Sequence, residues 1–150
     1  MPERNHRVLW LSVLIVLIAG AAHAAADPGG FAGLTWARSE ADCRNQKLCS
    51  DQGITVPDGP AREKQYLGKL TELNRLPVKV SSFAFFENRF FMGTASFDAK
   101  RVSFDSLKAA LVKLHGKPRS TGPRGAAWVL GNSRIVLYQG ETYHGVAYAH

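Results

Sequence analysis

The sequence predicts an α+β fold: two short helices packed on an antiparallel sheet of about five to six strands. Three observations carry that reading. Two runs rich in Val, Phe and Thr, 78–87 and 90–98, flank the tight-turn residues Glu87-Asn88-Arg89. Phe104, Leu107, Leu111 and Leu114 recur at helical spacing between Ser103 and Gly116. Two further apolar runs, 126–130 and 133–139, meet at the hairpin pair Gly131-Asn132, and a last strand follows over 143–150. Helices laid against an antiparallel sheet define this class.

The N-terminus reads as an export signal. Arg4 and Arg7 precede an uncharged stretch over 8–19, Gly20 breaks it, and two A-x-A sites follow, Ala22-His23-Ala24 and Ala24-Ala25-Ala26. A membrane span needs about 20 apolar residues, and this stretch is shorter. Residues 1–24 are therefore expected to be a signal peptide cleaved after Ala24 or Ala26, leaving one domain over 27–150 in a periplasmic or secreted protein. No Cys follows the apolar run, so no lipid attachment site is expected.

The whole chain of 150 residues carries a formal charge of +7. Bases concentrate in 100–134, where Lys108, Lys113, Lys117, Arg119, Arg124 and Arg134 accompany the single acid Asp105. Those six form a candidate anion-binding set for a glycan or lipid headgroup. Export argues against nucleic acid. Cys43 and Cys49 are the only cysteines, and an even count in an oxidising compartment favours a structural disulfide. On one continuous helix, i and i+6 would sit about 9 Å apart, whereas a bridge needs less than about 7 Å. The chain must therefore turn between them.

The remaining elements follow in order. Phe31, Leu34 and Trp36 are expected to dock as an irregular lead-in over 27–38. Ser39 and Asp42 have the spacing of a capping box, opening a short helix from Glu40 to about Gln46. Residues 50–62, rich in Asp, Gly and Pro, read as a surface loop. Residues 63–73 read as a strand over 65–73, against a helical alternative. With Glu87-Asn88 as the loop, Phe85 faces Phe90 and Phe83 faces Met92 on one side of the hairpin, beside Lys79 and Thr94. Val78, Val80, Ala84, Phe91, Ala95 and Phe97 share the other. The helix over 104–115 would cover one side through Phe104, Leu107, Leu111 and Leu114; Gly116 and Pro118 end it. Residues 118–125 read as a loop. Each half of the chain thus has one helix followed by antiparallel strands, a weak internal duplication.

Gly33-Leu34-Thr35-Trp36 running into Ser39-Glu40-Ala41-Asp42, the hairpin from Phe85 to Phe91, and Phe104-Asp105-Ser106-Leu107 leading to Leu114-His115-Gly116-Lys117-Pro118 form a recognisable order. It resembles small periplasmic modules that join helices to an antiparallel sheet, namely the SmpA-like outer-membrane assembly lipoproteins and the β-lactamase-inhibitor-protein fold, and many small secreted bacterial proteins. The resemblance implies action through protein contacts and transfers no individual functional residue. The lipidated Cys of the assembly lipoproteins is missing here.

No G-x-S-x-G, P-loop or H-E-x-x-H is present, and no cofactor or metal motif. His144 and His150 share a strand face but lie about 20 Å apart along it, too far to bind one metal within a chain. The acids form no evident pair. The chain therefore reads as a non-enzymatic binding module for an envelope or extracellular protein, of the inhibitor or assembly-accessory kind. Its candidate contact face is Phe83, Phe85, Phe90 and Met92, with self-association as one outcome. The alternatives are a binder of anionic glycan or lipid through 100–134, and a small envelope hydrolase.

Overall fold

A computed structural model describes residues 25–55 and 62–150. The expected signal peptide, and residues 56–61 of the expected loop, lie outside the described residues. The chain opens with a small hairpin, β1 (Gly30–Phe31) and β2 (Leu34–Thr35), followed by α1 (Glu40–Asn45). Then come β3 (Cys49–Thr55), β4 (Glu63–Gly68), a second small hairpin of β5 (Glu72–Leu73) and β6 (Leu76–Pro77), β7 (Val80–Phe86) and β8 (Arg89–Asp98). The second half runs α2 (Phe104–His115), β9 (Ser120–Gly122), β10 (Gly125–Leu130), β11 (Ser133–Tyr138) and β12 (Tyr143–Ala149).

The expected fold class is corrected by this count. One sheet holds eight strands, in the order β3-β4-β7-β8-β12-β11-β10-β9, not five to six. Strand makes up 50% of the described residues and helix 15%. The missed strands, β3 and β9, are the two edges and fall within the segments read as loops. An edge strand has one free side and is commonly polar. Five consecutive residues of β3, from Asp51 to Thr55, are exposed, so no apolar alternation marks them.

The two halves repeat one plan. Each has a helix and four strands of the large sheet, and the last strands of the halves, β8 and β12, pair antiparallel at its centre from Asp98↔Tyr143 to Met92↔Ala149. Both helices pack on the same face. On α1, Tyr66 of β4 donates a hydrogen bond to Glu40 and accepts one from Arg44 at 3.2 Å. Ser39 and Asp42 close the capping box. On α2, the buried stripe is Phe104, Leu107, Leu111 and His115, while Leu114 is 55% exposed. The expected Leu114 contact is thus replaced by His115, which continues the i+4 step from Leu107 and Leu111.

α1 stops at Asn45, and Lys47 at φ 57° turns the chain back. This brings Cys43 and Cys49 to disulfide distance, with Cα atoms 5.7 Å apart. The lead-in fills the space between the helices. Phe31 packs against Phe83 and Tyr148, and Trp36 stacks on Phe90. Asp27 fastens its start by accepting from the backbone of Gly29 and Asn132, each at 2.8 Å, and from Ser133, which also accepts from the Trp36 indole.

The Glu87-Asn88 hairpin loop forms as expected, with both residues at positive φ, and Phe85 pairs with Phe90. A bulge at Ala84/Phe85 then shifts the register, so Phe83 faces Gly93 and Ala84 faces Met92. The expected Phe83–Met92 pair is corrected accordingly. One extra residue reverses every later side chain of β8, sending Ala95 and Phe97 to the helix side and Met92 to the other.

Gly93 lies where Phe31 crosses the sheet, and a methyl group there would collide with the Phe31 ring. Gly93→Ala is expected to cost about 1–3 kcal/mol through overpacking. Gly122→Ala, with nothing within 4 Å of the added methyl, is expected to be neutral. Urea unfolding of the two variants checks this, and equal stabilities would remove the Phe31 contact from the account.

His115 and Tyr148 join α2 to β12, with Nε2 and the hydroxyl 2.9 Å apart. Burial pushes Tyr148 up to about 12 and holds His115 below its ordinary 6.5. The neutral imidazole and the hydroxyl share one hydrogen bond. As pH falls through 6.5, the unfolded chain binds a proton that the folded chain resists, so this contribution to stability is complete above 6.5 and declines below it. His115→Gln is expected to lose less stability than the unchanged protein between about pH 7.5 and about pH 5, read by urea unfolding at each pH.

Candidate functional site

Strand alternation divides the sheet into two unlike faces. The covered face carries Phe83, Phe85, Phe90, Phe97, Trp128, Ile135, Leu137, Val146 and Tyr148, all buried. Three of the four residues expected to form a partner-binding face are therefore core: Phe83 and Phe85 are 0% exposed and Phe90 is 1%. The bulge in β8 places Met92 alone on the opposite face.

Among the described residues that opposite face is bare, because α1, α2 and the lead-in all lie on the other side. Its composition is unusual for a solvated sheet, where polar residues are expected to alternate outward. The registers define three adjacent rows, each crossing most of the sheet. One runs Ile54, Gln65, Ala84, Met92, Ala149, Arg134, Val129. The next runs Leu67, Ser82, Thr94, Ala147, Val136, Ala127, Ser120. The third runs Val80, Ser96, Gly145, Tyr138, Gly125, Gly122. Arg134 is the only charged side chain in the three rows.

The middle of this face is shallow. Ser82, Thr94, Ser96, Gly145, Ala147 and Ala149 are small, and the Ser82 and Thr94 hydroxyls are bonded to each other at 2.6 Å. Larger side chains border them: Leu67 on β4, Val80 on β7 and Met92 on β8, with Val136 and Tyr138 on β11. The Tyr138 ring lies across Gly145, where an added methyl group would collide with it. Leu67 is 64% exposed, Val136 46% and Tyr138 50%. The result is a trough with apolar banks and a floor of methyl and hydroxyl groups.

The six bases expected to form one anion site are dispersed. Lys108 and Arg124 line a cleft of about 890 Å³ at the start of α2, and Lys108 donates to Thr121 at 2.9 Å. Lys113 sits beside Arg75 near the end of α2, and Arg134 lies on the open face. Lys117 and Arg119 are exposed on the connection to β9. Their closeness in sequence does not survive folding, because helix, turn and strand aim them in different directions. Beneath the lead-in, Phe31, Leu34, Leu73 and Leu114 line a cavity of about 260 Å³ with Tyr148 and His115 in its wall.

The open face went unnoticed in the sequence although one signal pointed to it. Val136-Leu137-Tyr138 places large apolar residues at both parities of β11, which marks a strand with an apolar side chain on each face. No family model matches the chain, and no curated protein and no solved structure matches it, so the geometry alone carries the functional reading.

Proposed function

We propose that the protein is an exported, non-enzymatic binding module that docks a partner protein on the open face of its sheet. The observation that carries this reading is the near absence of charge across three adjacent rows of that face. Protein-contact surfaces are depleted of charge at their centres and enriched in Tyr, Met and Arg, and contiguous exposed apolar patches mark such sites. Tyr138, Met92 and Arg134 occupy this face together.

Export is supported by the arginines, apolar run and A-x-A sites of the N-terminus, and by two features of the fold. Asp27, the first residue fastened to the body, follows both candidate cleavage sites. The one cysteine pair lies at disulfide distance, which suits an oxidising compartment.

The proposal predicts that Thr94→Arg and Val136→Lys block partner capture from an envelope extract while the fold survives. Val136→Lys is expected to change stability within about 0.5 kcal/mol, as for ordinary surface changes, and Thr94→Arg, which also gives up the Ser82–Thr94 hydrogen bond, to cost about 1 kcal/mol. Affinity is expected to drop about tenfold or more, equivalent to about 1.4 kcal/mol. Leu114→Lys, on the exposed side of α2, serves as the control and should leave capture intact. Capture that ignores Thr94→Arg and Val136→Lys but responds to Leu114→Lys would move the contact to the helix side.

A further inference from the structure

We infer that the cleft at the start of α2 is a binding site for a short saccharide, separate from the docking face. Three segments build it: the first turns of α2, the connection between β9 and β10, and the connection between β11 and β12. The two connections are fixed to each other, since the Gln139 N–H donates to the Arg124 carbonyl at 2.8 Å. Thr142 accepts from the Ala99 N–H at 3.0 Å, which fixes the third edge. The cleft thus has firm walls.

Seven polar side chains line it: Ser103, Asp105 and Lys108 from the helix and its cap, Arg124, Gln139 and Glu141 from the connections, and His144 from β12. Two carboxylates and two cations share the space, and none of the four belongs to an ion pair among the described residues. His144 is 5% exposed, its ring packs at a steep angle to that of Phe104, and its Nδ1 is buried with no hydrogen-bond partner among the described residues. Buried polar atoms are nearly always partnered. An orphaned imidazole nitrogen on a residue that lines a polar cleft is the second observation beside the cleft itself.

The chemistry of the lining selects the ligand class. The four formal charges cancel, so neither a phosphate nor a simple cation is favoured. The anion reading of 100–134 fails here for that reason: Lys108 and Arg124 are opposed by Asp105 and Glu141. What the site offers is donors and acceptors side by side on planar groups. A hydroxyl both donates and accepts, and vicinal hydroxyls meet a carboxylate, an amide or a guanidinium in bidentate fashion. A sugar is the ligand whose every edge carries such groups. The volume of about 890 Å³ lies in the range for well-formed ligand pockets and accommodates about two or three rings.

The test is a titration of the purified, isotope-labelled protein with chitotriose, cellotriose, maltotriose and trigalacturonate, followed by backbone amide shifts. At least one trisaccharide is expected to give saturable shifts at Asp105, Arg124, Glu141 and His144 below about 20 mM, weakened about tenfold or more by Asp105→Ala or Glu141→Ala. Both residues are exposed, so the fold should persist, and circular dichroism checks that it does. Val136→Lys on the docking face should leave the titration unchanged, which separates this site from the protein contact. Absence of saturable shifts with all four sugars overturns the inference. So does inorganic phosphate shifting the same amides at lower concentration than any sugar, and so does sugar binding at full strength in the Asp105→Ala, Glu141→Ala double variant.

Discussion

The pairing of β8 with β12 is the constraint on which the rest of the molecule depends. Seven residue pairs, from Asp98↔Tyr143 to Met92↔Ala149, join two four-stranded halves into one sheet. Each half alone would bury only the strip beneath its own helix. Joined, they give a continuous floor on which the lead-in can lie between the helices, with Phe31 over Gly93 and against Tyr148 of the opposite half. The same pairing decides what faces outward. A slip of one residue would carry His144, Val146 and Tyr148 to the open side and bring Tyr143, Ala147 and Ala149 into the core.

Much of the fold was readable where local chemistry and tertiary demand agree. α2 is bounded by Ser103 and Gly116 as expected, because a capping hydroxyl starts it and a glycine at φ 75° turns the chain out of it, both local devices. The Glu87-Asn88 turn and the Gly131 turn were readable for the same reason. The bulge in β8 was not. Nothing in Phe90-Phe91-Met92 announces an extra residue, since all three are apolar and either face would accept them. Its position is set by the neighbouring strand, and that single residue put Ala95 and Phe97 on the same side as Phe83, Phe85 and Phe90, making that side the one the helices cover, and left Met92 on the other. The edges β3 and β9 escaped because a strand paired on one side needs no apolar pattern.

The candidate sites were less readable, and for a related reason. A cluster of phenylalanines is the strongest apolar signal in the chain, yet strong apolar signals belong to cores. The floor of the open face is built instead from Ser82, Thr94, Ser96, Ala147 and Ala149, residues that make no impression in a sequence and acquire meaning only when register aligns them. The polar cleft likewise gathers Asp105, Arg124 and His144 from three separate segments. Linear proximity misled in the opposite sense for the six bases, which are neighbours along the chain and scattered in space.

An open apolar face on a sheet invites indiscriminate pairing, and the molecule limits that risk through its edges. β9 is three residues long, and β3 presents Asp51 and Gln52 at the opposite border; short or charged edge strands discourage edge-to-edge growth. A net positive charge adds repulsion between copies. The face itself is shallow at its centre and raised at its banks, so two identical faces would meet bank to bank and leave their floors unfilled. A partner that carries large side chains on a convex ridge would fill the trough, bury the Tyr138 and Met92 banks together, and reach the Ser82–Thr94 hydroxyls. The shape of the floor, more than its apolarity, therefore favours an unlike partner over a second copy of the same chain.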